Sequence, residues 1–159
     1  MSMNVLWDFP YPTKYYLTHP LKFFKHLRIN IRDARMRMRK GYCLSDVWNM
    51  DLWFLDVFPL MLRDLAEKGQ AYPGPETDFD TPEKWHDWLN SVADRLEECK
   101  EDNYEKKNEY YKDFYSSNFK DKELTKKYIQ RDQELAEEAH QKLKDTMAEI
   151  AQNFYMLWD

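Results

Sequence analysis

Hydrophobic positions recur at steps of three and four residues along most of the chain, a period that predicts helices rather than strands. The first such stretch begins at Pro20, which suits the first turn of a helix, and it ends at Gly41. Thr18 or His19 can cap its N-terminus. The apolar stripe of this helix is formed by Phe24, Leu27, Ile31, Ala34 and Met38.

A second helix is predicted from Ser45, a suitable N-cap, to Gly69, a suitable C-cap. Its residues are apolar on nearly every side, which is typical of a central helix that is covered on most faces. Pro59 lies in its interior and predicts a kink.

Two further helices follow a loop that is rich in proline. The third begins after Asp80 or Thr81, and the charged, tyrosine-rich stretch after Cys99 predicts that it continues beyond the core as a solvated arm. The fourth is predicted from about Asp121 to the C-terminus. Each of these two helices holds roughly 35 residues, against roughly 20 to 25 in the first two, so the last pair must overhang at 1.5 Å per residue.

The sequence therefore predicts an all-α fold and one domain over residues 1–159. We expect a four-helix bundle in which the two long C-terminal helices, over residues 80–159, form an extended antiparallel hairpin. Residues 1–19 are expected to form an extended N-terminal arm that lies on the domain. Residues 20–69 hold a basic helix and the central apolar helix.

Charge is distributed unevenly, because residues 20–42 carry eight basic side chains against Asp33 alone, whereas the whole chain has a net charge of −5. Six like charges on one helical face repel one another, so something negative must lie against them. Acidic residues of the other helices are one candidate. An anionic ligand is the other, since arginine binds phosphate bidentately. The six positions, at steps of three and four, are Lys22, Lys25, Arg28, Arg32, Arg35 and Arg39.

A polar line, Asp46, Asn49, Trp53 and Asp56, follows the same helical steps on the second helix. Buried carboxylates need partners, so Asp46 and Asp56 are expected to pair with the preceding helix. The candidate partners there are Arg28, Arg32 and Arg35.

The alternative interpretation makes Asn49 and the rings of Trp48 and Trp53 the floor of a pocket whose phosphate end is the basic helix. Both interpretations can hold in part. The candidate ligand-binding residues are then Lys25, Arg28, Arg32, Arg35, Arg39, Trp48, Asn49 and Trp53.

Aromatic side chains cluster beyond the point where aliphatic residues run out. Exposed rings at such density usually mark an interface, so we expect a homo-oligomer held partly by this region; the alternative is that the rings pack on each other across the two long helices. The predicted interface residues are Tyr104, Tyr111, Phe114, Tyr115 and Phe119.

Other chemistry finds little support. Two ExxH motifs, ending at His86 and His140, lie too far apart along an antiparallel hairpin to share a metal, and three glycines leave no phosphate-binding loop. We therefore expect no catalytic residues, no metal and no cofactor. Cys43 and Cys99 form no disulfide framework, which favours a cytoplasmic location. No segment suits a membrane partner, and the acidic composition argues against duplex nucleic acid.

The segments Gly41-Tyr42, Asp46-Val-Trp-Asn-Met-Asp-Leu-Trp-Phe-Leu-Asp56 and Pro59-Leu-Met-Leu-Arg-Asp-Leu65 carry a resemblance. With them, the chain resembles a family of small bacteriophage and prophage proteins of unassigned function. The preceding basic helix and the closing Phe154-Tyr-Met-Leu-Trp-Asp159 are also similar to that family. The resemblance implies a protein made in the host cytoplasm that antagonises host defence, and it brings no catalytic residues.

These observations together suggest a non-enzymatic, phage-derived binding protein. It is expected to sequester an anionic ligand, a nucleotide such as a host immune signal. The alternative is a protein-binding inhibitor of a host factor, or a phage assembly or structural interaction protein.

Overall fold

The computed structural model describes residues 12–117 and 119–157, and over these residues all regular secondary structure is helical, with no strand. The all-α prediction is confirmed. Residues 1–11 of the predicted N-terminal arm lie outside the described residues. For residues 13–18 the prediction of an arm is wrong, because these residues form a helix. The α-helices are α1 (Thr13–Thr18), α2 (Pro20–Lys40), α3 (Leu44–Trp48), α4 (Met50–Lys68), α5 (Pro82–Glu98), α6 (Glu101–Tyr104), α7 (Tyr111–Ser116) and α8 (Lys122–Gln152), with 3₁₀ turns at Glu105–Lys107 and Phe154–Met156.

The chain divides into two compact units, unit 1 over residues 1–53 and unit 2 over residues 54–159. In unit 1, α2 has the predicted bounds. Gly41 ends it with a φ of +78°, in the left-handed region that glycine adopts without strain, and its N–H donates to the carbonyl of Arg37 at 2.8 Å.

The predicted second helix is interrupted at Asn49, whose φ of −127° and ψ of 54° are not helical. The side-chain amide of Asn49 donates to the carbonyl of Ser45 at 3.4 Å, a local bond that competes with the helical ladder. The predicted N-cap is also wrong. Cys43 takes that place, because its N–H donates to the carboxylate of Asp46 at 2.7 Å.

The hydrophobic core described for the chain lies in unit 2. Trp85, Leu89 and Leu96 of α5 are fully buried, and they cluster with Leu62 of α4 and Ile150 of α8. The ring of Trp85 stacks on that of Trp88 with centroids 5.0 Å apart. The apolar spacing of α5 therefore packs as amphipathic spacing should.

Only part of α4 matches the prediction of a helix covered on most faces. Leu55, Leu62 and Pro59 are buried, whereas Leu60 and Met61 are more than half exposed. The prediction is wrong for those two positions, which point to the solvent side of the helix.

Ion pairs tie α5 to α8. Arg95 contacts the carboxylate of Glu149 at 2.5 Å, and Glu98 contacts Lys142 at 2.5 Å. Since the residue number rises on one helix as it falls on the other, the two helices run antiparallel. Trp88 also donates from its indole nitrogen to Glu149.

The predicted continuation of the third helix past Cys99 is wrong. The chain forms short helical pieces there, and two asparagines account for the interruption. Asn103 donates to the carbonyl of Glu97 at 2.7 Å, and buried Asn108 donates to the carbonyl of Tyr128 at 3.1 Å. The bond from Asn103 occupies a carbonyl that would accept a ladder bond in a continuous helix, whereas the bond from Asn108 ties the interrupted segment to α8.

Candidate anion-binding cleft

Helix α2 is amphipathic, and three residues of its apolar stripe are exposed, whereas Leu27 and Ala34 of that stripe are half-buried. The residues it buries are polar, Asn30 and Asp33. Phe24, Ile31 and Met38, here named the apolar row, are 62%, 41% and 79% exposed. Periodicity marks such a stripe as the side that normally faces a core.

A cleft of about 910 Å³ runs along this exposed side. All of its described lining residues come from α2, and they are cationic or apolar. The lining is Phe24, Lys25, Leu27, Arg28, Ile29, Ile31, Arg32, Arg35, Met36, Arg39 and Lys40.

Five residues predicted from the charge spacing line this cleft together. We name Lys25, Arg28, Arg32, Arg35 and Arg39 the cation row. The sixth predicted position, Lys22, lies outside the lining and donates to the hydroxyl of Tyr15 at 2.8 Å.

Most of the cation row has no acidic neighbour. Arg32 contacts Asp33 at 2.9 Å. Over residues 12–117 and 119–157, no carboxylate lies within 4.0 Å of Lys25, Arg28, Arg35 or Arg39. These four charges are therefore available to an anion from outside.

The two acids that were expected to neutralise the row are engaged elsewhere. Asp46 accepts hydrogen bonds from Arg37, at 2.9 Å from Nε and 2.5 Å from Nη2, and Asp56 contacts Lys100 at 2.9 Å. The predicted pairing of Asp46 and Asp56 with Arg28, Arg32 or Arg35 is wrong. Asp46 pairs instead with Arg37, which lies on the opposite side of α2 from the cation row, and Asp56 pairs with Lys100.

The pair of Arg37 and Asp46 is an anchor within unit 1. Burial alone would raise the pKa of Asp46, but the hydrogen bonds from Arg37 and from the N–H of Cys43 outweigh it and hold that pKa below its usual value. The same hydrogen bond has the opposite effect on Arg37, because it stabilises the charged guanidinium and so raises its pKa. Both groups stay charged, and the end of α2 is tied to the start of α3.

The structure does not bring Trp48, Asn49 and Trp53 to the cleft, so they do not form its floor. Trp48 is 80% exposed, and Asn49 breaks the helix. Six lining residues were not predicted as part of the site: Phe24, Leu27 and Ile31, which were expected in the apolar stripe, and Ile29, Met36 and Lys40. The seven-residue spacing of Ile29 and Met36 is the signal that could have found these two, because it places both on one side of the helix.

The predicted interface rings partly pack on one another, as the alternative proposed. The ring of Phe114 stacks on that of Tyr128 with centroids 3.9 Å apart, and the centroid of Phe119 lies 4.9 Å from that of Phe114. The ring centroids of Tyr111 and Tyr115 are 4.8 Å apart. Tyr115 and Phe119 remain exposed, and Tyr104 is half-buried. That these rings join two copies of the chain stays a prediction.

A carboxylate organises this aromatic cluster. Glu105 accepts hydrogen bonds from the hydroxyls of Tyr115, at 2.9 Å, and Tyr128. Burial and the bond to Glu105 raise the pKa of Tyr128 far above its usual value. The phenol therefore stays protonated and keeps donating.

Within the described ranges, no three His, Cys, Asp or Glu side chains lie close enough together to hold a metal ion. None of the described helices is both long and apolar enough to cross a membrane. Comparison with protein-family models, with curated proteins and with solved structures gave no significant match.

Proposed function

We propose that this chain is a non-enzymatic binding protein that captures an anionic ligand, a nucleotide, in the cleft along α2. The observation that supports this proposal is the cation row, in which four of five charges have no acidic neighbour among the described residues. The lining holds cationic and apolar side chains, which suit binding rather than bond breaking.

Electrostatics favours an anionic occupant. Neighbouring cations of the row are separated by one helical turn, so each raises the electrostatic free energy of the next. Phosphate oxygens relieve that repulsion, and the guanidinium fork of Arg28 or Arg35 matches them with two parallel hydrogen bonds. An apolar wall beside the charges suits the base of a nucleotide.

The biological setting is proposed from the resemblance of residues 41–65 to small phage proteins. Sequestering a nucleotide signal of host immunity in the host cytoplasm would need affinity and no turnover. We also propose that the chain forms a homo-oligomer. We further propose that it folds as a four-helix bundle and that the C-terminal part of the chain forms a projecting hairpin.

A melting-temperature screen of linear and cyclic nucleotides tests the proposal. A ligand at 100 times its Kd stabilises the fold by about 2.7 kcal/mol, which shifts the melting temperature by several degrees. The double variant Arg28→Ala/Arg35→Ala should abolish that shift. Arg32 is left intact, because removing it would strand the buried carboxylate of Asp33.

Lys126→Ala/Lys127→Ala is the matched control, because it removes two exposed charges of α8 that do not line the cleft. It should keep the full shift. An equal loss in both variants would show that net charge, rather than the cleft, attracts the ligand.

A second candidate function is inhibition of a host protein. The exposed apolar side chains on and beside α3 favour it, above all Trp48, because an exposed tryptophan is a frequent centre of a protein interface. If no nucleotide shifts the melting temperature while Trp48→Ala abolishes binding of a host protein, this candidate replaces the first.

A further inference from the structure

The cation row is long, and its length bears on the kind of ligand that the cleft takes. Helix α2 is continuous from Pro20 to Lys40. From Lys25 to Arg39 it rises about 21 Å, at 1.5 Å per residue. Successive cations are therefore about 4.5 to 6 Å apart along the helix axis.

One nucleotide cannot match such a row. Its phosphates are bonded to each other at one end of the molecule, so they reach neighbouring cations and leave the distant ones without a counter-charge. If Arg28 is neutralised in this way, Arg39 remains unmatched about 16 Å further along the axis. A ligand that serves the whole row carries negative charges at intervals.

The apolar row lies beside the charges over the same length. Phe24, Ile31 and Met38 are seven residues apart, so they follow one side of α2. In a duplex the bases are stacked inside, and these side chains would meet sugar and phosphate. In a single strand the bases are free to lie against apolar and aromatic side chains.

We propose that the cleft binds a single-stranded oligonucleotide along α2. Its phosphates lie on the cation row, and its bases lie against the apolar row, in which Phe24 supplies an aromatic ring. This inference rests on the proposed function and narrows its ligand class. The cleft is about 910 Å³ in volume, and its cations follow one line along α2, which suits a strand with charges at intervals.

The test is a length series of fluorescent, 5′-phosphorylated oligonucleotides of one, two, four, six and twelve nucleotides, in a DNA and an RNA arm. We expect affinity to rise with length and to level off by about six nucleotides, since the cation row needs about one phosphate for each of its cations. For the hexamer, a plot of log K against log salt should have a slope of about −3, since each phosphate contact of a single strand contributes about −0.7. Equal affinity of the two arms would show that the 2′-hydroxyl is not read.

Single variants separate the two rows. Arg39→Ala should weaken the hexamer and make the salt slope shallower by about 0.7, while leaving the mononucleotide unaffected. Phe24→Ala should weaken the hexamer roughly tenfold with the slope unchanged, because it removes stacking and no charge. Lys126→Ala/Lys127→Ala should change neither affinity nor slope.

Three outcomes overturn the inference, and the first of them leaves the proposed function standing. If the mononucleotide binds as tightly as the hexamer, the cleft takes a nucleotide but not a strand. If no length binds, both proposals fail. If vesicles that contain phosphatidylserine bind through Arg28 and Phe24 while oligonucleotides do not, the row serves an anionic lipid surface and both proposals fail.

Discussion

In unit 2, α5 buries Trp85, Leu89 and Leu96 on its apolar face, whereas in unit 1, α2 buries Asn30 and Asp33 and exposes its apolar row. Both helices are amphipathic with the same period. A hydrophobic stripe therefore locates a helix and its faces, but which face the protein covers depends on the rest of the fold.

The two helices differ in what flanks the stripe. On α5 the apolar residues are bordered by side chains that find partners on α8, such as Arg95 with Glu149. On α2 they are bordered by the cation row, in which Arg32 alone has an acidic partner among the described residues. Covering the α2 stripe with the protein's own residues would desolvate those cations, which is costly, so that side remains open.

The largest expected effect comes from the buried core of unit 2. Trp85→Ala should lower the free energy of unfolding by about 3–5 kcal/mol, because it empties a fully buried site. Trp48→Ala removes the same side chain from a site that is 80% exposed, and it should change that free energy by no more than about 0.5 kcal/mol. Urea denaturation measures both, and similar losses would mean that the exposed tryptophan is covered in solution.

An intermediate effect is expected at the anchor of unit 1. Arg37→Met leaves the buried carboxylate of Asp46 without its counter-charge, which should cost about 2 kcal/mol, less than for a fully buried pair because Arg37 is partly exposed. Arg35→Met, two residues away and with no acidic neighbour in the described part of the chain, is the matched control and should be near neutral. Equal losses would show that the long aliphatic stem, not the charge pair, stabilises α2.

The same anchor predicts a dependence on pH. Since the folded protein holds the pKa of Asp46 below its usual value of 3.8, the pair contributes fully above that value and its contribution is lost as the pH falls through the lower, folded pKa. Asp46→Asn should therefore destabilise the protein at pH 7 and show a smaller further loss in acid. A parallel decline of wild type and Asp46→Asn between pH 5 and about 2 would contradict this.

The smallest effect is expected on the apolar row. Met38→Gln should change the free energy of unfolding by less than about 0.5 kcal/mol, because the side chain is 79% exposed. The same measurement on Leu89→Gln, at a fully buried site of α5, should give a loss of several kcal/mol. A loss above about 1 kcal/mol for Met38→Gln would place this side chain in an interface between copies of the chain.

Much of the helical outline could be read from local chemistry. Pro20 and Gly41 bound α2, and Asp121 caps α8 by accepting from the N–H groups of Glu123 and Leu124. The interruption at Asn108 could not be predicted in this way, because its partner is a carbonyl twenty residues further along the chain.

The predictions for the candidate site also differ in whether local spacing was enough to make them. The cation row lies on one uninterrupted helix, so helical spacing alone places its members together. Trp48, Asn49 and Trp53 were expected on a continuous helix, and the non-helical backbone of Asn49 interrupts the spacing on which that expectation depended. Spacing fails wherever the helix on which it depends is interrupted.

Each unit contains one buried thiol, Cys43 in unit 1 and Cys99 in unit 2. Burial raises the pKa of Cys99, which further slows its reaction with alkylating reagents. A reagent can reach either sulfur only when its surroundings open, so the rate of modification at each cysteine reports the opening of its own neighbourhood. The chain thus contains two native kinetic probes, one where polar groups are buried and one at the edge of the hydrophobic core.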